Sequence, residues 1–119
     1  MSASHDAAAS MEPFAIATLE RMLQARVAEY HEFLRVPTMS AGLYRIPQGG
    51  TDPQSPHSED EVYYVVHGRA RFHTAEGDRY VEPGTIIFVP ARTAHRFHEI
   101  EEDLVVLVLF APAERPGPP

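Results

Sequence analysis

The sequence predicts a mainly β fold, a small sandwich or barrel, preceded by one amphipathic helix. Three observations predict it. Short β-branched and aromatic runs recur after Thr38, each bounded by Gly or Pro. Before Thr38, Ile16, Leu19, Leu23, Val27, Tyr30 and Leu34 follow one another at spacings of three and four, the stripe of a helix. A chain of 119 residues with 44% hydrophobic content is the size of one domain with one core.

Taken in order, residues 1–12 are rich in Ala and Ser and are expected to be disordered, with His5 functionally silent. Residues 13–36 form the helix and a connection, Pro13 suiting a first helical turn. The β body spans 37–111. Its expected strands are Ser40 to Ile46, Val62 to Val66, Arg69 to Thr74, Arg79 to Val81, Ile86 to Val89, His95 to Ile100 and Leu104 to Phe110. Turns fall at Gly49-Gly50, Glu76-Gly77-Asp78 and Glu82-Pro83-Gly84. Residues 112–119 read as a flexible, Pro-rich tail. Leu104 to Phe110 is apolar on both faces, so one face must be covered by something besides the interior, either the N-terminal helix or a second subunit.

Composition excludes several functions. The net charge is -7 and the pI about 5.4, and Arg69, Arg71 and Arg79 are too few and too mixed with acids to make a nucleic-acid face. No apolar stretch reaches membrane-spanning length, and the N-terminus lacks a signal-peptide pattern; a soluble, cytoplasmic protein is expected. There is no Cys, so no thiolate nucleophile or sulfur ligand. All ten cationic residues are Arg, so no Lys can form a Schiff base.

Histidine, with seven copies, carries the chemistry. His57 and Glu61 are four apart ahead of a strand and share a face if the strand extends back to His57. His95 follows a second strand. Two imidazoles and a carboxylate on a β scaffold suit a divalent metal with open coordination positions. Tyr63 shares strand parity with Glu61, as Phe97 and Glu99 share it with His95; a phenol there can orient a substrate or simply fill the core. Tyr63 and His73 are the candidates for proton transfer. Tyr44, His73 and Phe88 are candidates to line the interior, although a one-residue register change would turn each outward.

These residues fall into a pattern that resembles the cupin family. The first cupin motif, G-x5-H-x-H-x3/4-E-x6-G, is matched at Gly49, His57, Glu61 and Gly68, with Ser55 in place of the first His. The second, G-x5-P-x-G-x2-H-x3-N, is matched at Gly84, Pro90 and His95, with Arg92 for the middle Gly and Glu99 for the closing Asn. The resemblance covers roughly Thr38 to Phe110 and narrows the fold to a single-domain jelly-roll barrel, in which the two motifs face one another across the interior. It implies one divalent ion per chain (Fe, Mn, Zn or Ni) on His57, Glu61 and His95. Ser55 is a poor donor. Either the site is an open three-ligand triad, or the side-chain carbonyl of Gln54 supplies the fourth ligand, with Asp52 a weaker candidate. The resemblance also implies a small-molecule ligand and a homodimer. The expected function is a metalloenzyme of dioxygenase, isomerase or lyase type; a non-catalytic binding or structural domain is the alternative.

Overall fold

The computed structural model describes residues 11–23, 29–53 and 56–115. Among these residues, one helix, α1 (Ile16–Arg21), precedes eight strands: β1 (Glu29–Val36), β2 (Met39–Ile46), β3 (Asp60–His67), β4 (Ala70–Thr74), β5 (Gly77–Val81), β6 (Ile86–Val89), β7 (Arg96–His98) and β8 (Leu104–Ala111). They form two antiparallel sheets, one five-stranded in the order β1-β2-β8-β3-β6 and one three-stranded in the order β5-β4-β7.

Strand alternation places the core between the sheets. Leu104, Val106, Val108 and Phe110 of β8 meet Tyr63 and Val65 of β3, Tyr44 and Ile46 of β2, and Phe72 and Phe97 of the smaller sheet. The odd-numbered residues of β8 face outward. There Val105 packs with Leu43, Leu19 and Leu23, so the N-terminal segment covers part of the outer face. Burying Leu19 and Leu23 is worth about 1.5–3 kcal/mol each.

The helix is shorter than its stripe suggests. It ends at Arg21, and Tyr30 and Leu34 lie on β1, which pairs with β2 along its length. A step of four residues fits one helical turn and an even strand step equally well. Val27 lies outside the described residues. Phe88 does not line the interior but is 60% exposed, and it forms with Ile86 (69%) and Tyr64 (39%) an apolar patch on the outer face of β3 and β6. The expected Glu76-Gly77-Asp78 turn is tighter, since Thr74 pairs with Gly77 and Asp78 is already a strand residue opposite His73.

Gly68 ends β3 with φ of 95°, and a Cβ there would stand 2.3 Å from the Asp103 carbonyl oxygen, so the β3–β4 connection can pass the start of β8 only with Gly. Gly42 makes room for the Tyr30 ring, which a Cβ would meet at 2.2 Å. Among the described residues, two non-glycine positions also have positive φ: Arg92 (62°) and Glu99 (50°). They occupy the second motif's Gly and Asn positions, so the backbone keeps a left-handed geometry that their side chains disfavour.

Candidate metal centre

Glu61 enters the interior from β3 between Val89 and Phe110 on the flanking strands. It is 1% exposed, and both carboxylate oxygens are buried with no hydrogen-bond partner among the described residues. His95 precedes β7. Its Nδ1 lies 2.7 Å from the Thr93 carbonyl oxygen, to which Nδ1–H donates. That contact leaves Nε2 as the lone-pair nitrogen, aimed inward. Nε2 lies 3.0 Å from the Tyr63 hydroxyl, which donates to it, and 3.4 Å from Glu61 Oε1. Burial opposes charge on His95, but Glu61 and the Thr93 carbonyl outweigh it and raise its pKa.

His57 sits before β3 rather than on it, so its approach does not come from strand parity. Its ring is 6.4 Å from the His95 ring and 4.9 Å from the Phe110 ring, centroid to centroid. The Arg92 N–H donates to the His57 carbonyl oxygen at 2.6 Å, tying the β6–β7 loop to the segment that carries His57. The fold thus gathers His57, Glu61 and His95 at one end of the interior, although they do not bring one ligand atom from each within 4.8 Å. Gln54 and Ser55 lie outside the described residues. Asp52 has a structural partnership: its carboxylate accepts from the Tyr44 hydroxyl at 2.7 Å and from the Phe97 N–H at 2.9 Å, linking the two sheets.

Tyr63 is fully buried beside His95. His73 is not in the interior. Its side chain is 53% exposed on the outer face of the smaller sheet, 2.7 Å from Asp78, although it shares with His95 the lining of a groove of about 350 Å³.

Sequence reasoning missed Glu114 and Tyr30. The tail, expected to be mobile, lies against the barrel as far as Arg115. Glu114 N–H donates to Ser40 Oγ at 2.8 Å and Arg115 N–H to Glu59 Oε2 at 3.2 Å. This places Glu114 Oε2 3.2 Å from His57 Nδ1. Burial, opposed by His57 but reinforced by Glu59, Glu61 and Glu32, pushes the Glu114 carboxyl above the usual range. Nothing in a Pro-rich tail signals such docking. Tyr30, Tyr44, His57, Val108, Phe110 and Glu114 line a cavity of about 130 Å³ next to the cluster.

Glu61 and His95 are donors of the types that a divalent cation takes. A carboxylate stripped of water and of hydrogen bonds is costly to bury, and an imidazole nitrogen of fixed tautomer stands beside it. Glu61 Oε1 and His95 Nε2 stand 3.4 Å apart, a separation open to two ligand atoms of one ion.

Among the described residues, no helix is long and apolar enough to cross a membrane. Residues 42–110 match the cupin domain family. An uncharacterised protein of Streptomyces coelicolor is 46% identical over 104 residues, covering 87% of this chain and 99% of its own. The crystal structure of TT1209 from Thermus thermophilus superposes with a TM-score of 0.72 at 24% identity, covering 87% of this chain and 99% of that one. The DMSP lyase DddQ from Ruegeria pomeroyi gives 0.66 at 21% identity over 71% of this chain, which spans only 47% of the lyase; both structural likenesses speak to the fold alone. Two antiparallel sheets closing around the paired motifs, together with these matches, show that the chain belongs to the cupin family.

Proposed function

We propose that this protein is a metal-dependent cupin whose barrel interior holds one divalent ion on His57, Glu61 and His95 and acts on a small molecule. The observation that carries this reading is Glu61. A carboxyl group buried without hydrogen-bond partners is costly, and a divalent cation is a partner that satisfies both of its oxygens at once. Fe, Mn, Zn and Ni all accept two imidazoles and a carboxylate, and Gln54 is the proposed fourth donor. When bound, the ion supplies a Lewis acid, and a redox centre if it is Fe or Mn. The chain's own residues supply the rest. Thr93 fixes the His95 tautomer, Tyr63 holds a proton at the interior face, and Phe110 and Val108 give the cavity an apolar wall.

The cavity bounds the ligand. At about 130 Å³ it is smaller than the roughly 300 Å³ at the low end of drug-sized ligand sites, so the substrate has few heavy atoms. Dioxygenase, isomerase and lyase chemistries on such a molecule are the candidates, and the shared fold of the Ruegeria pomeroyi lyase supports keeping lyase among them. The Glu114 contact with His57 favours a second reading, a non-catalytic binding domain whose tail closes over a bound metabolite. Turnover of a small substrate by the metal-loaded protein, lost in Tyr63→Phe with metal retained, supports the enzyme. Ligand binding without turnover supports the second reading.

The metal assignment is tested by tag-free purification and elemental analysis. His95→Ala is expected to abolish stoichiometric interior metal while the barrel stays folded, and unchanged content refutes the assignment. We also propose a homodimer formed through the exposed patch of Tyr64, Ile86 and Phe88. Light scattering showing a monomer ends that proposal.

A further inference from the structure

The outer face of the smaller sheet carries a second constellation of ligand-type side chains. The β4–β5 hairpin sets His73 directly opposite Asp78, and β7 places His98 on the same face one step along, opposite Arg71. Asp78 Oδ1 lies 2.7 Å from His73 Nδ1 and 3.2 Å from His98 Nε2. One ligand atom from each residue lies within 4.8 Å of the other two, a closure that no other trio of His and acidic residues reaches among the described residues.

We propose that His73, Asp78 and His98 form a second, surface binding site for a late first-row divalent cation, with Zn²⁺ as the probe. Ligands held about 2.0–2.2 Å from a tetrahedral or octahedral ion stand roughly 2.9–3.5 Å from one another, and the two contacts to Asp78 Oδ1 lie within a few tenths of an ångström of that range. A plain ion-pair cluster would turn each N–H onto an oxygen. His98 does not do this: its Nε2 is buried and has no hydrogen-bond partner, despite standing 3.2 Å from Asp78. Behind the ring, Glu99 Oε2 lies 3.5 Å from Nδ1, an ion-pair contact longer than an ordinary hydrogen bond. A carboxylate on the far nitrogen is the arrangement that directs the other nitrogen to a metal. Nδ1–H of His73 donates to Asp78 in the empty cluster, so binding an ion through Nδ1 requires that proton to leave this nitrogen. Two nitrogens and one oxygen select late transition ions over Mg²⁺ or Ca²⁺, which require oxygen shells. Arg71 and Arg96, cross-strand partners of His98 and His73, add positive charge and keep the affinity below that of the buried centre.

The site is separable from the interior one. Zn²⁺ is titrated calorimetrically into the tag-free full chain, first as purified wild type and then as His73→Ala/His98→Ala, Asp78→Asn and Glu61→Gln/His95→Ala. The double outer variant is expected to lose one Zn²⁺ equivalent, and Asp78→Asn to weaken that equivalent by about tenfold or more. The interior variant is expected to keep it. Equal stoichiometry and affinity in wild type and the double outer variant overturn the proposal, whatever the interior variant does. Loss of only the interior equivalent in Glu61→Gln/His95→Ala leaves the outer site standing. Because His73 is exposed and Asp78→Asn is isosteric, circular dichroism of both variants is expected to match wild type.

Discussion

The interior and the outer face hold clusters of the same residue types, two imidazoles near a carboxylate, under opposite conditions. Inside, the Glu61 and His95 side chains are each 1% exposed, and the carboxylate has no hydrogen bond. Outside, the His73 and Asp78 side chains are 53% and 36% exposed, and they hydrogen-bond to each other in full contact with water. Burial therefore decides what each cluster demands. The exposed His73–Asp78 pair is satisfied without an ion and, as a screened surface pair, is worth about 0–1 kcal/mol. The buried carboxylate is a liability until it is neutralised or ligated. A cation inside should stabilise the fold strongly, whereas a cation outside should stabilise it only by its own weaker binding.

The largest expected effect breaks this contrast at its centre. Glu61→Gln in metal-free protein should raise unfolding free energy by about 1–3 kcal/mol, because a neutral isostere replaces a buried carboxylate that makes no hydrogen bond among the described residues. Chelation should lower the melting temperature of wild type and leave that of Glu61→Gln unchanged. Denaturant titration with and without chelator measures both. A destabilised, metal-free Glu61→Gln would mean that the carboxylate is already satisfied by the protein.

Next come the two strained backbone positions, one beside each cluster. Arg92→Gly should stabilise by about 1 kcal/mol, since only the left-handed cost is removed and the backbone bond to His57 is kept. Glu99→Asn should relieve strain of similar size but weaken Zn²⁺ at the outer site, because it removes the carboxylate behind His98. The pair of thermal melts and titrations separates conformational from ligand effects. The smallest effect belongs to His73→Ala, expected within about 0.5 kcal/mol of wild type, as for exposed residues away from special backbone. A larger loss would show that the outer cluster carries stability and would erase the contrast.

What is legible in the chain follows from periodicity. Runs such as Leu104 to Phe110 and Ile86 to Val89 are strands to within a residue, and the spacing of Gly68, Gly84 and Pro90 identifies the family. The helix stripe overreaches because Tyr30 and Leu34 stand four apart, and the β-bulge between Glu32 and Leu34 shifts the pairing register, which hides the alternation of β1. Phe88 faces outward because β6 reverses the parity that would send it inward. Asp78 escapes notice because a Gly-Asp step reads as a turn, not as the first two paired residues of a strand. Glu114 reaches His57 through tertiary docking of the tail, which no local pattern encodes.

The most direct test is a metal count by elemental analysis on protein carrying His73→Ala and His98→Ala, so that only the interior can contribute, with and without Glu61→Gln. A near-stoichiometric ion that disappears with Glu61→Gln is the predicted result. A count that Glu61→Gln leaves unchanged, or an empty parent after reconstitution with Fe, Mn, Zn and Ni in turn, would contradict a cation bound at the buried carboxylate.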